Sequence, residues 1–347
     1  MKRILITGGA GFIAHHLIDH LIRNTDWEII ILDKLTYASA GFNRLREIGA
    51  YDNPRVELYP VDIRMQMGSG LESEIGRVDY FVHMAAETHV DNSIVNPRVF
   101  VESNVIGTFE MLELARRLPG LQKFLYFSTD EVFGPAADGV AYKEWDRYNS
   151  TNPYAATKAA GEELALAWAN TYKLPLFITH TMNAFGERQH PEKFIPKVIS
   201  HVMTDKEVPI HAYINKKRSG SRFYIHCRNI ANAVLFLLYY GEFRDKYNIV
   251  GEKEISNLDL AQRIAAIMGK PLKYQLVDFH SARPGHDLRY ALDGSKMASL
   301  NWNIPMSFED SLARTIRWMT KPEHYNWLDL GTHGKIGDGE HVGDVAG

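Results

Sequence analysis

Cysteine is almost missing from this sequence: Cys227 is the only one among 347 residues. A single thiol excludes an intramolecular disulfide and a thiolate metal cluster, and a chain that needs neither suits the reducing cytoplasm. A surplus of charge of either sign is missing too. With 39 Lys plus Arg against 42 Asp plus Glu, the net charge of -3 gives no general attraction to nucleic acid or to an anionic membrane. Any anionic ligand must therefore be held by local groups. No apolar run approaches a membrane span, and the opening MKRILITGG carries too few apolar residues before its glycines for a signal-peptide core. A soluble, cytoplasmic protein with no membrane or nucleic-acid partner is expected. Hydrolytic and metal signatures are also lacking. The histidines show no HExxH spacing, no serine sits in a GxSxG turn, and no Lys-Ser/Thr follows the first glycines as a nucleoside-triphosphate loop would require. No metal site is expected.

What is present is alternation. Short apolar runs at 3–7, 28–32, 56–61, 79–84, 123–128 and 176–180 are separated by amphipathic stretches at 12–24, 98–118 and 153–172. Near-continuous apolar strands alternating with helices predict an α/β protein with a Rossmann-type, doubly wound parallel sheet, in which ligands sit at the carboxyl ends of the strands. After Gly186 the connections lengthen and prolines appear at 191, 196 and 209. The expected organisation is an NAD-binding domain over 1–186, to which 222–250 returns, and a smaller discontinuous lobe from 187–221 and 251–328. The glycine-rich end, 329–347, reads as a mobile tail.

Three stretches carry chemistry. TGGAGFIAHHL places Gly8, Gly11 and Ala14 at three-residue spacing between the first strand and the first helix. Small residues there let the backbone turn tightly, let a pyrophosphate approach the helix N-terminus and let helix pack on strand. A tight turn alone explains the glycines equally well; the next strand, ending at Asp33, favours a dinucleotide, since an acid at about that ~20-residue offset bonds the adenosine ribose of NAD. Lys34 beside it leaves NADP open. NPYAATKAAGEELALAW sets Tyr154 and Lys158 four apart on one helix face, where an ammonium can favour a tyrosinate able to take a hydroxyl proton. Such a pair is more often a core ring and a solvated amine. Finally FSTDEVFG sets Asp130 and Glu131 at a strand end, where polar residues commonly just open a turn.

Taken together, TGGAGFI, LDKLTYA, VDI, HMAAETHVDNSI, the Thr-Asp-Glu run, YAATK, HPEKFIP and RPGHDLRYALD resemble the extended short-chain dehydrogenases/reductases, and among them the nucleotide-sugar 4,6-dehydratases. The likeness runs from residue 3 to about 320. It implies a bound NAD contacted by Gly8, Gly11, Phe12, Ile13, Asp33, Lys34, Asp62, Ile63, Ala85, Ala86, Thr88, Ser103, Tyr154 and Lys158. It implies a nucleotide hexose of thymidine or uridine type held by Thr88, Thr129, Asn183, Lys193, Phe194, Pro209, His211, Arg222, Asn257, Arg283 and His286. By the same resemblance Tyr154 takes the 4-hydroxyl proton with Thr129 bonded to that oxygen and Lys158 lowering the tyrosine pKa. Glu131 then removes the C5 proton while a protonated Asp130 donates to the leaving 6-hydroxyl, and NAD carries the hydride from C4 to C6. In the family the helices matching 98–118 and 153–172 build a homodimer.

Two places depart from the family pattern. Asn183 is followed by Ala184, Phe185, Gly186 and Glu187, where the family has a second asparagine and Tyr-Gly-Pro, and His211 stands where it has a tyrosine beside the base. Other outcomes from the same machinery are a 4-epimerase or a 5,6-dehydratase. Outside enzymes, a cofactor-binding scaffold would have little reason to keep both Tyr154 and Lys158.

Overall fold

Strand β1 (Arg3–Thr7) sends Ile4 and Ile6 into one apolar layer and Leu5 into another, and β2 (Glu28–Asp33) divides Ile29 and Ile31 from Ile30 and Leu32 in the same way. A strand that is apolar on both faces belongs in a sheet covered on both sides. The computed structural model, which describes residues 1–213, 217–278 and 289–330, contains that sheet. To β1 and β2 it adds β3 (Val56–Pro60), β4 (Tyr80–His83), β5 (Lys123–Thr129) and β6 (Leu176–Thr181). The seventh member comes from much later in the chain, after β7 (Asn183–Phe185), β8 (Val208–Ala212) and β9 (Ser221–His226): it is β10 (Lys246–Ile249), the strand-like YNI of the sequence. The order is β3-β2-β1-β4-β5-β6-β10, with every pairing parallel.

Helix α1 (Phe12–Asn24) is followed by the short α2 (Asn43–Glu47) and α3 (Ser69–Ile75), then by α4 (Val90–Val95), α5 (Pro97–Val101) and α6 (Gly107–Arg117). Next come α7 (Pro153–Tyr172), α8 (Phe194–Met203) and α9 (Cys227–Tyr240). One face of the sheet is covered by Leu17, Ile18 and Leu21 of α1 with Ile230, Val234 and Leu237 of α9. The other is covered by Met111 and Leu112 of α6 with Ala165 and Ala169 of α7. Small residues on α7 matter here. Gly161 lies so close to Tyr126 that a Cβ would fall 2.2 Å from its hydroxyl, so this helix sits hard against the sheet.

The expected helix over 98–118 keeps a helical backbone throughout, but one of its turns is widened. Between α5 and α6 lies a π-helical turn, Glu102–Ile106. Such widened turns recur at functional sites. Here the turn carries Asn104, whose Oδ1 accepts from the N–H of Glu87 at 2.8 Å and whose Nδ2 donates to the Glu87 carbonyl at 3.0 Å. The loop after β4 is thereby held at both the N–H and the carbonyl of one residue.

A smaller unit is built from β7, β9 and β11 (Glu254–Ser256), in the order β11-β9-β7, and from β8 paired in parallel with β12 (Tyr274–Asp278). Its core joins Ile195 and Ile199 of α8, Leu260 and Ile264 of α10 (Asn257–Ile267), and Phe308 and Leu312 of the helix Phe308–Met319. The joint between the two units is ionic. Glu187, buried, bonds His226 Nε2 at 3.0 Å and Arg228 at 2.7 Å, while its carbonyl faces His16 Nε2 of α1 at 3.1 Å. Burial alone would raise the Glu187 carboxyl, but the bonds and charges of His226 and Arg228 hold it far below the usual range.

Candidate active site

The order of the central sheet reverses between β1 and β4, and there the connections diverge to leave a crevice at the strand ends. The turn after β1 forms its floor. Gly8 has φ +71°, and a Cβ on it would lie 2.8 Å from Ala85 Cα; a Cβ on Gly11 would lie 2.8 Å from the Gly8 carbonyl oxygen. Side chains larger than hydrogen are therefore excluded on both sides of the helix N-terminus, which is what close approach of a pyrophosphate requires. Asp33 closes this turn. One carboxylate oxygen accepts from the N–H of Ala10 at 2.9 Å and the other from Leu35 at 2.7 Å. Burial raises its pKa, and those two amides work against the rise. Lys34 pairs with Asp62 at 3.0 Å, so its charge is already matched.

β5 ends at Thr129, and a single 3-10 turn, Asp130–Phe133, follows at once. Gly134 after it, at φ +74°, has the Asn149 carbonyl where a Cβ would be, so the chain must turn there with glycine. The two carboxyl groups consequently point out of the strand end in different surroundings. Asp130 is buried, with Oδ1 accepting from the Thr129 hydroxyl at 3.1 Å and Oδ2 without a hydrogen-bond partner among the described residues. Burial, then the neighbouring Glu131, raises it to about 7, against the opposing charge of Arg222. It is a carboxyl group able to keep its proton at neutral pH. Glu131 is half-buried and takes an amide donor, Asn152 Nδ2, at 3.1 Å.

Asn152 is a residue that the sequence reading passed over. Its Oδ1 caps α7 by accepting from the Ala155 N–H at 2.8 Å, with Pro153 at the first helical position, so its amide can present only N–H to Glu131. Asn-Pro at a helix start was the available signal for the cap; the bond to Glu131 depends on the sheet bringing β5 beside α7. The same helix supplies Tyr154 and Lys158, both buried. Burial and then Glu131 push the Tyr154 phenol well up, and a hydrogen bond with Thr129 works the other way. Lys158 does not reach for the phenol. Its Nζ donates to the Phe127 carbonyl at 2.8 Å and lies 4.2 Å from the Tyr126 ring. Burial pushes this amine down to about 7, with Glu162 resisting. The expected lowering of the Tyr154 pKa by Lys158 is thus not what this geometry provides, because desolvation of the ring dominates.

A cleft of about 410 Å³ runs from the glycine turn to the acid pair. Gly8, Gly11, Phe12, Ile13, Asp33 and Lys34 line one end, with Asp62, Ile63 and Ser103 beside them. Ala85, Ala86 and Thr88 continue the wall to Thr129, Asp130, Glu131, Tyr154 and Lys158. Asn183, Lys193 and Phe194 contribute from the smaller unit. Pro209 and His211, on β8, lie outside this lining. Asn257 stands behind it, accepting at 3.0 Å from the hydroxyl of Tyr224, which does line it. Arg222 packs its guanidinium 4.8 Å from the Tyr290 ring and is felt at the site through its charge on Asp130. Arg283 and His286 fall outside the described residues, as does 331–347 of the tail. Unforeseen in the lining are Tyr37, His89, His190 and Glu192, where Glu192 approaches His89 at 3.6 Å and His190 at 3.5 Å.

A doubly wound parallel sheet with a small-residue turn at the N-terminus of its first helix defines a dinucleotide-binding α/β protein. More narrowly, residues 4–250 match the NAD dependent epimerase/dehydratase family, and the chain belongs to that family. It is 38% identical to a dTDP-glucose 4,6-dehydratase of Haemophilus influenzae, over 92% of this chain and 98% of that protein. It is 36% identical, over 95% of its length, to a trifunctional UDP-glucose 4,6-dehydratase/UDP-4-keto-6-deoxy-D-glucose 3,5-epimerase/UDP-4-keto-L-rhamnose-reductase of Arabidopsis thaliana, of which it spans only 48%. The crystal structure of a dTDP-glucose 4,6-dehydratase from Streptomyces venezuelae with NAD and TYD bound is similar at a TM-score of 0.84 and 34% identity, covering 94% of this chain and 99% of that one.

Proposed function

We propose that the protein dehydrates a nucleotide-activated hexose, of dTDP-glucose or UDP-glucose type, to a 4-keto-6-deoxy sugar, with NAD as its resident cofactor. The observation that carries this reading is the pairing of Asp130, raised to about 7, with Glu131 next to it and Tyr154 bonded to the adjoining Thr129. The glycine turn and Asp33 suit NAD, because backbone packed where Gly8 and Gly11 would carry a Cβ keeps the turn tight and the helix N-terminus bare for a pyrophosphate, and Asp33 offers carboxylate oxygens to a ribose. Bound there, NAD supplies a hydride acceptor for C4 and a hydride donor for C6. Tyr154 takes the proton of the 4-hydroxyl in its tyrosinate form, which burial makes scarce but strongly basic, and Thr129, already bonded to Asp130, holds that oxygen. A 4-ketone makes the C5 hydrogen acidic; Glu131, steadied by Asn152, removes it. Asp130 gives its proton to the departing 6-hydroxyl, and water leaves. Lys158 serves this sequence from behind, as a buried cation between β5 and the cofactor end of the cleft. Lys193 and Arg222 are the cations for the diphosphate.

Purified protein incubated with dTDP-glucose and UDP-glucose should yield products lighter by one water, with the deuterium of a C4-labelled substrate recovered at C6. Return of label to C4 without loss of water would replace dehydration by 4-epimerisation. Residues 1–186 with 222–250 serve as the cofactor-binding part, and 187–221 with 251–328 as the sugar-nucleotide part, except that β7 and β9 pair within the smaller unit. The protein works in the cytoplasm as a homodimer. Val101, Ile106, Phe109 and Tyr172 present exposed apolar surface along α5 to α7 for a second copy. The lone thiol is buried, and among the described residues no helix is long and apolar enough to cross a membrane.

A further inference from the structure

Behind the acid pair lies a buried ionic cluster that the reaction above does not use. At its centre is Glu162, fully buried and one helical turn after Lys158 on α7. Its Oε1 takes the hydroxyl of Ser128, the residue before Thr129 on β5. Its Oε2 takes the hydroxyl of Tyr148 and lies 3.0 Å from His180 Nε2 on β6. Lys246 of β10 stands 3.6 Å away and also donates to Tyr148. One turn earlier, Lys158 bonds the carbonyl of Phe127 at 2.8 Å. Consecutive residues of β5, Phe127 and Ser128, are therefore clamped by residues one turn apart on α7, immediately before the strand delivers Thr129, Asp130 and Glu131.

We propose that Glu162 is a positioning residue for the reaction: it locks α7 to the end of β5 and supplies the negative charge that lets the buried Lys158 remain an ammonium. This rests on the dehydratase reading for its consequence in turnover, but not for its physical content. A buried carboxylate without cations around it would neutralise itself. Burial does push Glu162 up, yet His180, Lys246 and Ser128 outweigh it and hold the group down at about 2. Charge is thus available to Lys158 across the neutral range. The groups facing the pair are Tyr126 and Ser128 on β5, His83 on β4, His180 on β6, Lys246 on β10, Tyr148 on the preceding loop and Glu163 on α7. The last of these acts on Tyr148 and Lys246 and is absent from the influences on Lys158.

The test uses the full chain with 13C at the lysine ε-carbons, the Lys158 signal being assigned through Lys158→Arg and followed with pH. Glu162→Gln should lower the Lys158 midpoint by about one unit or more, because a neighbouring opposite charge has been removed. Glu162→Asp, which keeps the charge on a shorter arm, should restore most of that fall. The alkaline limb of turnover should move with the midpoint in each case. An unmoved midpoint in a folded Glu162→Gln protein overturns the proposal. If that variant does not fold, Ser128→Ala, which removes only the hydroxyl tying β5 to Glu162, tests the clamp, and unchanged amide exchange at Thr129, Asp130 and Glu131 overturns it instead. Since the midpoint is read without substrate, a wild-type protein inactive on every nucleotide hexose counts against the dehydratase reading alone.

Discussion

Asp130 and Glu131 are neighbours in the chain with different surroundings in space. One is sealed in with a raised pKa of about 7, and the other is half-buried against an amide donor. The consequence for pH is definite in sign. Elimination needs the protonated form of Asp130, so turnover should fall as pH rises through about 7. Lys158 also titrates near 7, so the alkaline limb belongs to both groups. Asp130→Asn should reduce elimination by about 10²- to 10⁴-fold, the range for a lost general acid, measured as the rate of water loss. In Glu131→Gln, C4 oxidation should survive while elimination stops, and NADH absorbance should accumulate on adding substrate. Wild-type turnover in that variant would remove Glu131 from the reaction. At this scale much was legible in the sequence, because the glycine spacing, Asp33, the Thr-Asp-Glu run and Tyr154-Lys158 are local patterns. Asn152 and Glu162 were not, since the partners that give them meaning are 21 and 34 residues away respectively, across a strand-helix contact.

Among elements, α7 has a double duty: it covers the sheet and carries two site residues, and its N-cap is also the donor to Glu131. Asn152→Ala should therefore cost about 1 kcal/mol of stability, as lost caps do, visible in urea unfolding. It should also slow C5 deprotonation, visible as slower solvent-deuterium exchange at C5. Asn152→Asp would keep the cap but set a carboxylate against Glu131, so stability should recover while exchange does not. The strands and helices of the parallel sheet were readable from runs and periodicity. The widened turn in the helix expected over 98–118 was not, because its apolar spacing carries on through Glu102–Ile106. What reshapes that segment is visible only in space, where Asn104 reaches across to Glu87 and Thr157.

For the whole molecule the ionic joint at Glu187 contributes to the response to acid, together with other depressed carboxyls such as Glu162. The Glu187 pKa lies below the unfolded value of 4.5, so its contribution is complete above that pH and is lost as pH falls toward the folded value. Glu187→Gln should lower the unfolding free energy by about 3–5 kcal/mol at pH 7, the usual cost of breaking a buried pair, and by clearly less at pH 3. Urea titrations at the two pH values would show it. Sedimentation should give a dimer, and Phe109→Glu should shift it toward monomer. The discontinuity of the smaller unit was only partly legible: the strand-like YNI could be guessed to return to the sheet, but β8 and β12, separated by more than sixty residues, pair through contacts no local pattern announces.

The late arrival of β10 has a consequence in time. While the chain is being synthesised, β6 emerges with one edge paired to β5 and the other bare until Lys246–Ile249 has been made. A nascent sheet with an open apolar edge is prone to pair with the wrong strand. Lys246 arrives on that closing strand, so the cation that meets Glu162 is delivered by the same event that caps the edge. The buried carboxylate would then gain its full complement of charge only when the central sheet is complete, making the interior of the fold a late checkpoint rather than an early nucleus.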